Sequence, residues 1–229
     1  MDSHIFPEWL YKPLYDEKHR FYVLSTDANK RRRSRPKGIY DKLFCNECEG
    51  KLSVWEGIAR GVFYSTPLKL IEDHRKLVFS GVSYAPFKLF GMSLLWRASI
   101  TRRPEVLRID LGPHAERMRR MLYEEHPGEP HEYSSILMLP SLEQELMQQF
   151  MYPPERLPTK LDGHTAYRAV FGGLFWLFIV SNHSAGLPQT IFLSQEGRLP
   201  VFKITEPVLG FMQRVATGFS EAGMLDELE

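Results

Sequence analysis

The sequence predicts an α+β protein, and three observations predict it. Apolar residues recur at helical spacing in Leu52, Trp55, Ile58, Ala59 and Val62, and again in Phe87, Phe90, Leu94 and Leu95. Short apolar or alternating runs such as YSSILML (133–139), HTAYRAVFGG (164–173) and LFWLFIVSN (174–182) read as strands between turn residues. With 229 residues, 43% hydrophobic and 13% aromatic, the chain is long enough for a core without disulfide staples.

In chain order, Ser3 to Leu24 is aromatic-rich and broken by Pro7 and Pro13, which predicts loop and short helical turns ending in a strand at Phe21–Leu24. Ser25 to Lys37 has no apolar periodicity and is expected to be an exposed loop. It carries Lys30, Arg31, Arg32, Arg33, Arg35 and Lys37. A strand at Lys42–Phe44 leads to Cys45 and Cys48, and a helix is expected after Gly50. VFYST (62–66) and KLVFSGVSY (76–84) read as strands separated by a polar stretch. Pro86 then opens a helix over 86–100 whose apolar residues mark it as buried. Arg97, Arg102 and Arg103 near its end suit the helix dipole.

A second helix over 114–126 follows Gly112–Pro113, with Met118, Met121 and Leu122 on its apolar side and Glu116 four residues before Arg120. The stretch after it places His126 and His131 among glutamates but holds two prolines and a glycine, so it is read as a solvated linker. SLEQELMQQF (141–150) reads as a short helix capped by Ser141, and YPPERLP (152–158) as a linker. That linker is the preferred place to divide the chain, giving units 1–65, 66–152 and 153–229, or one continuous domain. TIFLSQEGRLPVFKI (190–204) reads as two strands turning at Glu196–Gly197, followed by an amphipathic helix carrying Val208, Leu209, Met212 and Val215.

Overall charge is nearly balanced, 29 Lys+Arg against 28 Asp+Glu, which argues against a protein that coats nucleic acid with its whole surface. Between residues 12 and 42, however, ten Lys/Arg face four Asp/Glu, a local excess of +6. A phosphate backbone is the natural counter-surface for such a segment, and a solvated loop is the bland alternative. The only two cysteines are at CxxC spacing, no secretory leader is read in MDSHIFPEW, and the setting expected from these features is a reducing cytoplasm. The longest apolar run, Ala169 to Val180, is shorter than the roughly 20 residues that span a bilayer and contains two glycines, so it is read as core. No phosphate-binding Gly-rich loop, GxSxG or HExxH is present, so the enzyme classes they mark lack their signatures.

Cys45 and Cys48 have three readings from the residues themselves: half of a tetrahedral zinc site, a dithiol redox pair, or two small side chains without a special role. Glu47 and Glu49 beside them are expected to oppose thiolate formation. His4 and His19 are candidates to complete a zinc site.

The combination of SHIFP (3–7) with LFCNECE (43–49) resembles the treble-clef, HNH-endonuclease-like proteins. The likeness is carried by residues 3–60 and extends in general character to FKLFGMSLLWRAS and DLGPHAERMRRML. It implies a small ββα module ahead of a larger mixed α+β body, of the type associated with bacterial mobile elements, phage and defence loci. It further implies His4 as general base, Cys45 and Cys48 as structural zinc ligands, Glu49 at the place of a metal-binding histidine, and a divalent ion such as Mg acting with His4 on a phosphodiester. The basic 30–37 loop would hold backbone phosphates without reading sequence. The pattern's first CxxC knuckle has no counterpart ahead of His4, and Ser3 stands where the family has an acidic residue. The expected function is therefore nucleic-acid binding with HNH-type cleavage if catalytic. The alternative is a regulatory or interaction protein that keeps the scaffold and binds a protein partner or a second copy of itself.

Overall fold

The computed structural model describes residues 3–25, 29, 31–64, 68–72, 75–140, 148–204 and 206–221. It is a mixed α+β fold. In chain order it runs β1 (Ser3–His4), α1 (Glu8–Tyr11), a 3-10 turn at Lys12–Leu14, β2 (Phe21–Val23), β3 (Arg33–Arg35), β4 (Tyr40–Asp41) and α2 (Asn46–Tyr64). It continues with β5 (Lys69–Glu72), β6 (Lys76–Ser80), α3 (Tyr84–Ile100), α4 (His114–Tyr123) and β7 (Ser135–Pro140). The last elements are β8 (Tyr152–Arg156), β9 (Thr165–Phe171), β10 (Leu174–Val180), β11 (Arg198–Ile204) and α5 (Glu206–Glu221).

Seven strands form one sheet in the order β5-β6-β11-β7-β10-β9-β8, all pairs antiparallel except β11 with β7. Two small ladders stand apart from it, β1 with β4 and β2 with β3. The period-2 alternation of β10 shows why both sheet faces are covered. Trp176, Phe178 and Val180 join the core under the helices, while Phe175 and Ile179 join a second core with Phe192 and, from α5, Val215. A strand buried on both faces reads as one uninterrupted apolar run, and this is the origin of the long apolar stretch in the sequence. The first core draws on Ile5 near one end of the chain and Val201 near the other.

The helix α3 lies on that sheet because almost its whole circumference is apolar, with Phe87, Phe90, Met92, Leu94 and Ala98 all buried. Gly91 sets the approach: a Cβ there would lie 3.0 Å from Ser135 Oγ and 3.5 Å from the Trp176 ring. Trp176 itself is 1% exposed and is ringed by Phe63, Phe87, Phe90, Phe171 and Phe178. The turn joining β9 to β10 uses Gly172 and Gly173 at φ 58° and 79°, the left-handed pair that a two-residue hairpin needs.

Several elements differ from the sequence reading. α2 starts at Asn46, ahead of Gly50, and runs to Tyr64, absorbing the expected strand at 62–64 into its last turn. The strand expected at 42–44 lies instead at Tyr40–Asp41. Lys69–Glu72, within the polar stretch, is a strand because β6 supplies its ladder. Tyr152–Arg156, read as a linker, is the edge strand β8, where Pro153 and Pro154 are tolerated because one side of the ladder is open. A tight turn does form at Ser194–Arg198, with Gly197 N–H donating to Ser194 O at 2.9 Å. Its first arm is only a 3-10 turn at Gln189–Ile191, and β11 pairs with β6 and β7 instead. Glu116 bonds Arg119 at 2.7 Å, not Arg120. The helix expected over 141–150 falls mostly outside the described residues.

Lys88, on α3, is 5% exposed and donates to Glu129 O and, at 3.3 Å, to Tyr84 Oη. Burial pulls its pKa down to about 7, with the charges of Glu132 and Glu129 opposing. An unfolded lysine titrates near 10.4, so between about pH 7 and pH 10 the unfolded chain binds the extra proton and stability rises with pH. Lys88→Met is expected to flatten that rise in urea unfolding measured at pH 7, 8.5 and 10. An unchanged slope would show that the ammonium is not held in an apolar site.

Candidate functional site

β1 pairs with β4 through Ser3↔Asp41 and His4↔Tyr40, extended by Ile5 N–H donating to Ile39 O at 3.0 Å. The His4 side chain is fixed from two directions. Nε2 lies 2.9 Å from Glu8 Oε2, and the ring packs on Tyr40 with centroids 3.9 Å apart. Glu8 accepts a second hydrogen bond, from Tyr15 Oη at 2.5 Å. Burial, then this bond and the Glu8 charge, push the Tyr15 phenol well above its usual range. A carboxylate accepts only, so Nε2 carries a proton and donates it to Glu8. Glu8 was not singled out in the sequence; its signal was the four-residue spacing from His4 across Pro7.

The backbone of His4 is held as well. Its carbonyl accepts Arg97 Nη1 at 3.2 Å, and the same nitrogen donates to Glu56 of α2 at 2.7 Å. Arg97 was read as a dipole partner at a helix end, but it is 1% exposed and ties β1, α2 and α3 together.

At the start of α2, Cys45 is exposed and Cys48 half-buried. Cys48's backbone N–H, then its thiol, bond the Cys45 sulfur and hold that thiol below its ordinary range, with Glu47's N–H adding to them and its charge opposing. Thus the helix N–H groups outweigh the neighbouring carboxylate that was expected to prevail. Burial first, then the bond to Cys45, pushes the Cys48 thiol up. Glu49 N–H donates to Cys45 O at 3.1 Å, and its Oε1 is buried without a hydrogen-bond partner among the described residues.

Among the described residues no three His, Cys, Asp or Glu side chains come together in a group able to hold a metal ion. His4, Glu49 and the two cysteines are therefore not gathered into one metal group. Cys45 and Cys48 provide two of the four ligands a structural zinc takes. His19 is exposed, and its ring stacks on Tyr15 at 4.1 Å.

The basic segment is not a loop throughout. Arg33–Arg35 returns as β3 against β2, pairing Phe21↔Arg35 and Val23↔Arg33. Arg31, Arg33 and Lys37 are exposed, and Arg32 lies 4.6 Å over the Tyr22 ring. Lys30 is outside the described residues. Arg35 is paired with Glu105, whose side chain is 4% exposed, so it anchors the hairpin to the segment after α3. Burial first, then the positive charges of Arg103 and Arg33, lower the pKa of Arg35. Arg103 Nε donates to Tyr40 O, while Thr101 Oγ1 and Arg102 N donate to Asp41 at 2.7 and 3.2 Å. These bonds hold the Asp41 carboxyl below its usual value, Thr101 contributing most. They also bring Arg103 beside Arg33 and Arg35, a grouping with no signal in the linear sequence.

No protein-family model, curated protein or solved structure matches the chain.

The two thiols are expected to react unequally. Iodoacetamide should modify Cys45 first, with a rate midpoint below the ordinary thiol value of about 8.5, read by peptide mass mapping across pH. Faster labelling of Cys48 would contradict the polarity described.

Proposed function

We propose that this protein binds nucleic acid through the β2–β3 hairpin and the 101–103 segment, beside an HNH-like ββα unit made by β1, β4 and α2. One observation carries the reading. Arg103 donates to the Tyr40 carbonyl, and the Tyr40 ring lies 3.9 Å from that of His4, so the arginine group and the imidazole flank the same residue. A phosphate backbone crossing Arg33 and Arg103 would run next to His4. Contacts of this kind set position and carry no base information, so the expected binding is indifferent to sequence.

His4 is the proton acceptor in this arrangement. Glu8 fixes the ring through Nε2–H, and in this reading Nδ1 is left to take a proton from water or to meet a phosphate oxygen. The described residues do not complete a three-ligand metal group, so no step is assigned to Mg, and zinc on Cys45 and Cys48 would need ligands from beyond them or from another chain. Binding is the primary activity in this reading, and cleavage its extension through His4.

A second reading, an interaction protein of cytoplasmic type that keeps the scaffold without catalysis, is favoured by β5. It is a terminal strand of the seven-stranded sheet, with consecutive Leu70 and Ile71 46% and 49% exposed, and its open backbone edge is one onto which a partner strand could add.

Fluorescence anisotropy with a short labelled duplex of arbitrary sequence separates the two. The wild type should bind with a steep salt dependence, and Arg31→Ala/Arg33→Ala/Lys37→Ala should reduce the log–log slope by about 0.9 for each phosphate that is no longer neutralised. Equal affinity and slope in both proteins would overturn the nucleic-acid reading. His4→Ala should leave binding within about twofold of wild type while abolishing nicking of supercoiled plasmid with Mg present, since it removes the base and leaves the phosphate-binding arginines in place. Nicking that survives His4→Ala would remove His4 from that role.

A further inference from the structure

The β9/β10 ladder ends with Thr165 opposite Val180, and His164 and His183 lie just beyond that end, one on each arm. The two rings do meet there, with centroids 4.7 Å apart. Each is fixed by its own backbone. His164 exchanges hydrogen bonds with Leu161 at 2.8 and 2.9 Å, and His183 is locked by Ser181, whose hydroxyl both accepts from its N–H and donates to its carbonyl at 3.2 Å.

His164 is 2% exposed, and its Nε2 lies 2.7 Å from Ala185 O. A carbonyl can only accept, so Nε2 carries a proton and Nδ1 is the nitrogen left for another partner. That Nδ1 is buried with no hydrogen-bond partner among the described residues. A backbone carbonyl on the far nitrogen is the usual way a metal-binding imidazole is oriented and its tautomer set. With metal–nitrogen bonds of about 2.0–2.1 Å and tetrahedral angles, two imidazoles on one ion have ring centres roughly 5 Å apart. The observed spacing is close to that, and His183, being exposed, opens the pair to solvent.

We propose that His164 and His183 form a two-imidazole site for a borderline divalent transition-metal ion, Zn²⁺ or Cu²⁺ in class, bound through His164 Nδ1. The described residues supply no third protein ligand, so the remaining coordination positions belong to water or to a small exogenous donor. The site is independent of the nucleic-acid reading and lies on elements that reading does not use.

The test is calorimetric titration of Zn²⁺ into the full chain carrying Cys45→Ser/Cys48→Ser, so that the dithiol takes no ion. One Zn²⁺ per chain is expected. Adding His183→Ala, an exposed position that leaves the core intact, should weaken binding by at least about tenfold, and His183→Cys should restore it. Nitrogen-15 spectra should show the His164 Nδ1 signal move on Zn²⁺ addition while Nε2 keeps its proton. No uptake by the Cys45→Ser/Cys48→Ser protein, equal affinity after His183→Ala, or an unmoved Nδ1 signal would each overturn the proposal.

Discussion

The buried Arg97 guanidinium is the constraint on which the N-terminal half of this structure depends. Its nitrogens donate to Glu56 on α2, the His4 carbonyl on β1, and the Ser93 carbonyl and hydroxyl one turn back on its own helix. A charge in an apolar core is tolerated only when it is paired, because its desolvation must be offset by Coulomb attraction and hydrogen bonds together. The bonds therefore fix more than a charge. They tie α2 and β1 to α3, and removing the Glu56 carboxylate would leave an uncompensated buried cation.

With β1 and α2 positioned in this way, the neighbouring features follow. β4 is held on its other side by Thr101, Arg102 and Arg103, and β3 is held by Glu105, so the residues just after α3 act as a strap across the small strands. Two-stranded ladders of two or three residues have little stability of their own. Here their charged and polar groups are anchored to the segment that directly follows a long buried helix. The same anchoring collects like charges around Arg35, an unfavourable arrangement that, after burial, lowers its pKa.

How legible this was depended on the range of the interaction. The helix at 84–100 and the strands at 165–180 were read correctly because buried apolar residues at the right spacing are a local signal. The β8 edge was read as a linker because Pro153 and Pro154 look like breakers until an open sheet edge is available. The Arg33–Arg35 strand was read as loop because its pairing with Phe21–Val23 is set by ring and anchor contacts that charge composition does not carry. At the candidate site, His4, Cys45, Cys48 and Glu49 were found as residue types in a spacing, and Arg31 to Lys37 as a charge run. Glu8, Arg103 and the His164–His183 pair were not, since each acquires meaning only from what lies next to it.

The sequence by itself determined the class of fold, the burial of its apolar segments and the location of the basic excess, since these follow from composition and periodicity over a few residues. Tertiary structure alone decided that Arg97 is a buried junction, that Arg35 pairs with Glu105, and that Arg103 reaches the Tyr40 carbonyl beside the His4 ring. Those outcomes depend on hydrogen bonds and desolvation between segments up to 93 residues apart, as in Arg97 and His4. No local pattern encodes such a distance, because the energy of the contact exists only once the chain has closed around it.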